Sequence, residues 1–143
     1  MANEGTQIIM FDPNRRAVVM YLRDDFPHIP YPNRWCVPGG MLEAGESTNE
    51  CVIREIKEEM GLVLDPNQVE HFATRDCDFG IEHAFLTTVP GLDLDAVHLT
   101  EGQALAWFTA SDAAQTELAY ADNEILARFF ATLPAVDGAA GGH

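Results

Sequence analysis

Residues 39 to 62 read GGMLEAGESTNECVIREIKEEMGL. Within this stretch Glu55, Glu58 and Glu59 stand three and four positions apart, a spacing that gathers side chains on one face of a helix. Like charges so placed weaken a helix. Two carboxylates roughly 6 Å apart repel by about 3 kcal/mol at an effective dielectric near 20, a large cost against a typical total stability of about 5–15 kcal/mol. A bound divalent cation offsets the repulsion, because Mg²⁺ takes hard oxygen ligands and still keeps several waters. The other reading is a solvated acidic face, where salt screens the charges.

The surrounding sequence supplies the elements such a cluster needs. Ser47 reads as a helix N-cap, with Glu50 three residues on completing a capping box, and Gly61 as the stop. On a 3.6-residue wheel Val52, Ile53, Ile56 and Met60 share one side, well away from the glutamates. TQIIMFD and RAVVMYLRD, joined at Asp12-Pro13-Asn14, predict two strands. DFPHIPYPNR is too rich in proline for a helix or a central strand and predicts an ordered loop. RWCVP, VEHFATRDC, EHAFLTTV and ALAWFTA predict further strands, the middle two paired around Asp78-Phe79-Gly80. DNEILARFFATL predicts a C-terminal helix with Ile125, Leu126, Phe129, Phe130 and Leu133 inward. The expected architecture is α/β, with a mixed sheet between helices. One domain spans residues 1–136, and residues 137–143 form a flexible tail.

Composition narrows the partners. The chain has 143 residues, 23 acidic and 8 basic side chains, and a formal net charge of -15. Such a surface repels duplex nucleic acid and anionic membranes. It would repel a polyanionic small molecule too, unless bound cations reversed the local potential. No run reaches the length of a membrane span, and MANEGTQ lacks the marks of a secretory signal. Cys36, Cys51 and Cys77 form no CxxC pair, which suits a reducing, cytoplasmic setting. The five histidines have no zinc-ligand spacing. A homodimer is compatible with the sequence, though no exposed stripe marks an interface.

The order of residues carries more than the charge. Gly40, Glu46, Arg54, Glu55, Ile56, Glu58, Glu59, Gly61 and Leu62 spell G-x5-E-x7-R-E-U-x-E-E-x-G-U, with U aliphatic. This resembles the signature of the Nudix hydrolase superfamily at every defined position. The resemblance implies the Nudix fold, a three-layer α/β/α sandwich with a mixed sheet. It also implies Mg²⁺-dependent (or Mn²⁺-dependent) cleavage of the diphosphate linkage of a small nucleotide. By the same resemblance, Glu55, Glu58, Glu59 and the Gly39 carbonyl are expected metal ligands, and Arg54 is expected to pair with Glu46.

Glu55 and Glu101 are the two candidates for the general base. Glu101, in TEGQALAW, matches a loop glutamate of the MutT-like branch and is a further candidate ligand, or else part of a plain turn. That likeness makes a nucleoside triphosphate such as 8-oxo-dGTP or dGTP the first substrate expectation. A nucleotide sugar, a pyrimidine nucleotide, a dinucleoside polyphosphate and a non-catalytic nucleotide sensor are the alternatives. Phe26, His28 and Tyr31 either stack on a base or cover the core edge. Asp122 and Asn123 lie near a base-reading position of that branch, and both also suit a helix N-cap.

Overall fold

The structure is a computed structural model and describes residues 3–134. Residues 137–143, the expected tail, lie outside the described residues. The sheet is built around β1 (Asn3–Asp12), whose residues from Gly5 onward are all buried. A strand buried on both faces needs apolar residues in succession rather than in alternation, and Ile8-Ile9-Met10-Phe11 supplies them. Ile8 and Met10 pack on one side with Val52, Ile56 and Met60. Ile9 and Phe11 pack on the other with Ile125, Leu126 and Phe129. Burial of each such side chain contributes about 1.5–3 kcal/mol.

Along one edge β1 pairs antiparallel with β2 (Ala17–Leu22) and β4 (Gly39–Met41); along the other it runs parallel to β6 (Gly80–Thr88). β5 (Glu70–Cys77) joins β6 with a bulge between His71 and Ala73. β7 (Ala104–Thr109) pairs along the whole of β2, and the two-residue β3 (Trp35–Cys36) pairs with its end. The result is a seven-stranded mixed sheet between helices on both faces, the α/β/α sandwich that the resemblance implies.

Helix α1 (Thr48–Met60) covers the first face. Ser47 Oγ accepts from the Glu50 N–H at 3.2 Å and Glu50 Oε1 accepts from the Ser47 N–H at 2.9 Å, so the capping box forms. Gly61 ends the helix in the left-handed region at φ 70°. The buried stripe is Cys51, Val52, Ile56 and Met60, whereas Ile53 is only partly buried.

On the second face lie α2 (Ala110–Gln115) and α3 (Asp122–Ala131). The sequence reading did not anticipate α2, which opens on its own capping box of Thr109 and Asp112. Helix α3 ends two residues earlier than the sequence pattern suggested. Its expected inward residues hold their places: Ile125, Leu126 and Phe129 are buried, and Phe130 and Leu133 are partly buried.

Candidate active site

Two adjacent glycines bring α1 onto the sheet. A Cβ on Gly39 would lie 1.9 Å from the Thr6 carbonyl oxygen, so a side chain there cannot coexist with the β1–β4 pairing. A Cβ on Gly40 would lie 1.7 Å from Glu55 Oε2. The first glycine therefore lets β4 approach β1, and the second clears room for a carboxylate. Cys51 is wholly buried beneath them, with its sulfur 3.3 Å from Thr6 Oγ1.

Arg54 ties the loop before α1 to the helix. Its Nε and Nη2 donate to Glu46 Oε2 and Oε1 at 2.5 and 3.0 Å, a bidentate fork of the kind arginine makes best. That bond, together with the Glu43 backbone N–H, holds the Glu46 carboxyl down to about 2. Arg54 Nη1 meanwhile donates to Glu55 Oε1 at 2.8 Å and to Glu58 Oε1 at 3.1 Å.

Glu59 forms no ion pair with this cation, which bonds Glu46, Glu55 and Glu58. Burial, with the charges of Glu55 and Glu101 added, raises its carboxyl from 4.5 to about 8. Burial also raises Glu55. Glu101 comes close because its loop is tied to the last turn of α1: the Thr100 N–H donates to the Glu59 carbonyl at 2.9 Å and Thr100 Oγ1 to the Glu58 carbonyl at 3.0 Å. On its other side the Gly102 N–H donates to Asp24, and Gln103 Nε2 to the Arg23 carbonyl and to Asn33.

Glu59, Glu101, Gly39 and Gly40 border a cleft of about 570 Å³. Tyr120, Phe79, Gln7, Glu82 and Asp122 are also among its lining residues. Asp122 is 1% exposed and accepts from Gln7 Nε2 at 3.1 Å, from the Val37 N–H at 2.9 Å and from Arg75. Glu82 shares Arg75 with it. Burial raises both carboxyls. Gln7 Oε1 and Arg75 Nε are buried with no hydrogen-bond partner among the described residues. Tyr120 is left-handed at φ 57°, with its ring against Tyr31 and Phe79 and under the Arg23 guanidinium.

Of the residues singled out from sequence, Glu59, Glu101, Gly39 and Asp122 border the cleft. Glu55 lies directly against Gly40, which does so too. Glu58 faces Arg54 and is more than half exposed. Phe26 and His28 stack on each other at 5.6 Å and are not cleft-lining residues, although Pro30 of the same loop is. Tyr31 donates its hydroxyl to Asp78. Asn123 is a brace outside the cleft: Oδ1 accepts from the Leu118 N–H, and Nδ2 donates to the Ala113 and Thr116 carbonyls. Neither Asp122 nor Asn123 is the N-cap of α3, which falls on Ala121 without a side-chain bond. Gln7, Arg75, Glu82 and Tyr120 escaped the sequence reading, since a lone polar residue in a strand, or a tyrosine in the turn before a helix, carries no local sign of a distant partner.

No three His, Cys, Asp or Glu side chains among the described residues converge as a finished metal cage; Glu55 and Glu58 are drawn to Arg54 instead. The donor chemistry nevertheless fits a hard divalent cation. Glu55, Glu58, Glu59 and Glu101 offer only oxygen, and the Gly40 gap leaves the Glu55 carboxylate room beside the cleft.

The family model for the NUDIX domain matches residues 1–129, and the chain belongs to the Nudix family, whose class is that of the Nudix hydrolases. It is 31% identical over 97 residues to the CTP pyrophosphohydrolase of Escherichia coli, a match covering 68% of this chain and 71% of that protein. A match to putative nudix hydrolase 1 of Caenorhabditis elegans, 32% identical over 79 residues, covers 55% of this chain, which spans only 21% of that relative. Among solved structures, a chain from the MutT structures of Aliivibrio salmonicida and Vibrio cholerae superimposes with a TM-score of 0.76 at 25% identity, covering 93% of this chain and 100% of that one. The E. coli ORF135 protein gives a TM-score of 0.68 at 28% identity, over 91% and 89% of the two chains.

Proposed function

We propose that this chain is a divalent-metal-dependent pyrophosphohydrolase of small nucleotides, with a nucleoside triphosphate such as dGTP or 8-oxo-dGTP as the first substrate class. The carrying observation is that Glu59, with Glu55 and Glu101 close to it, borders a cleft also lined by Tyr120, Phe79, Val37, Gln7 and Asp122. At about 570 Å³ the cleft suits a nucleotide. Glu55, Glu58, Glu59 and Glu101 would hold Mg²⁺ or Mn²⁺, with the Gly39 carbonyl as a backbone ligand. Such an ion supplies charge neutralisation of the diphosphate and a lowered water pKa.

The chain's own groups do the rest. Arg54 and Glu46 fix α1 to the loop that precedes it, which sets how Glu55 and Glu59 are presented beside the cleft. Glu55 and Glu101 are the two candidate carboxylates to accept the proton of the attacking water. Arg23 adds one positive charge on the cleft wall. Tyr120, Phe79 and Asp122 meet the nucleoside, while Phe26, His28 and Tyr31 belong to the loop that would cover it.

A pyrimidine nucleotide is the second reading, favoured by the likeness to a CTP pyrophosphohydrolase. The test is release of phosphate or pyrophosphate from a nucleotide panel, with and without Mg²⁺. Turnover of at least one member is expected, lost in the double variant Glu58→Gln/Glu59→Gln. No turnover of any member, or activity that survives the double variant, refutes the reading.

A further inference from the structure

The polar residues of the cleft show an imbalance that hydrolysis of the diphosphate does not use. Gln7 sits on β1, the central strand, opposite Gly39 of β4, and so has a rigid backbone. Its side chain is 2% exposed and lies on the α3 side, where Nε2 donates to Asp122 Oδ1. Asp122 is itself fixed by the Val37 N–H and by Arg75. The amide therefore has one tenable orientation, since the reverse would set its oxygen against a carboxylate. In the tenable one Oε1 is turned from Asp122, closed to solvent and without a partner among the described residues.

A buried acceptor without a donor is costly, and native proteins keep few of them. Nearby groups do not offer the missing proton. Glu82 and Asp122 are both carboxylates, and the one guanidinium they share is already directed at them. Among the cleft-lining groups here Glu82 and Asp122 present acceptors, and the orphaned donor Arg75 Nε belongs to a residue that does not line the cleft. A ligand completes it by bringing an N–H, and a carbonyl brought to the same place meets oxygen.

Resting on the hydrolase reading above, we propose that Gln7, oriented by Asp122, reads an exocyclic amino group of the nucleobase. Bases that carry the amino group, such as cytosine and adenine, are then preferred over their oxo counterparts, uracil and hypoxanthine. A site built to hydrogen-bond one substrate group rejects an analogue lacking it far more strongly than an apolar pocket rejects a change of shape.

The experiment compares kcat/KM for dCTP against dUTP and for dATP against dITP, with Mg²⁺, in the wild-type protein and in Gln7→Leu and Gln7→Met. In the wild type the amino member of at least one pair leads by about tenfold or more. Both variants bring that ratio to within about threefold by raising KM for the amino member, with the oxo member little changed. Equal wild-type efficiencies within both pairs overturn the proposal whether or not the variants fold. So does a ratio that the substitutions leave intact. Should no nucleotide turn over, the hydrolase reading falls, and calorimetric titration of the same pairs decides the role of Gln7. Amino-selective binding supports it, and equal or absent binding overturns it.

Discussion

Gly40 and Glu55 compete for one space: a Cβ on the glycine would come within 1.7 Å of Glu55 Oε2. The obstacle is the far end of a flexible side chain, so Gly40→Ala should fold and pay in function, by displacing the carboxylate. The expected outcome is a kcat reduced by at least about tenfold, the loss of roughly 1.4 kcal/mol of transition-state stabilisation, with a melting temperature near wild type. Gly39→Ala is the contrast, because its Cβ meets the Thr6 backbone. Overpacking that cannot relax costs about 1–3 kcal/mol, so it should melt several degrees lower. Thermal denaturation beside steady-state kinetics separates the two.

Under the proposed function Glu59 would link metal, proton and stability. Its carboxyl is raised from 4.5 to about 8 in the folded chain, chiefly by burial. A carboxyl so raised binds its proton more tightly when folded, and stability falls as pH climbs between those two values. The metal-free protein should therefore melt at progressively lower temperature across that window. Stabilisation by Mg²⁺ should grow over the same range as the competing proton leaves. Glu59→Gln should flatten both trends in scanning calorimetry; trends unchanged by that substitution would remove Glu59 from the account.

At the acid end Glu46 has the opposite sign. Its carboxyl is held from 4.5 down to about 2, first by the Arg54 hydrogen bond. The stability it contributes is present above the upper value and lost as pH falls toward the lower one. Acid denaturation followed by circular dichroism should thus show a shallower loss in Glu46→Gln than in the wild type over that interval.

Thr100 holds Glu101 in place through its N–H and its hydroxyl, both donating to the carbonyls ending α1. Thr100→Val keeps the shape and the backbone bond but removes the hydroxyl. It should cost about 1 kcal/mol of stability and lower kcat several-fold with KM little moved. Equal loss in kcat and in folded fraction would mean that the loop acts only through stability.

Asn123 should behave as a brace. Asn123→Ala removes three hydrogen bonds between α3 and the segment from Ala113 to Leu118. A loss of about 2–3 kcal/mol, read by urea denaturation, is expected. The ranking of nucleotide substrates by the folded fraction should not change.

The sequence was most legible where the chemistry is local. The Ser47–Glu50 box, the Gly61 stop and the Glu46–Arg54 pair all lie within eight residues of their partners, and each forms. Strand β4 is not anticipated beyond two glycines following a short strand, because its pairing depends on β1, over thirty residues earlier. Helix α2 was missed because ASDAAQ has too little apolar periodicity to announce itself, although Thr109 and Asp112 were there to be read as a cap. The polar side of the cleft was hidden for the same reason. Gln7, Arg75, Glu82 and Asp122 come from three strands and a helix, brought together by the parallel run of β1 beside β6, the antiparallel pairing of β5 with β6 and the packing of α3 on the sheet.

Arg54 lends its Nη1 to Glu55 and Glu58 while its other nitrogens hold Glu46. The chain thus carries its own counter-ion, and under the proposed function the loading of a divalent cation would be an exchange of partners instead of the filling of a hole. Affinity for that cation would then reflect how readily the guanidinium lets go, and Glu46 would tune it without being one of the proposed ligands.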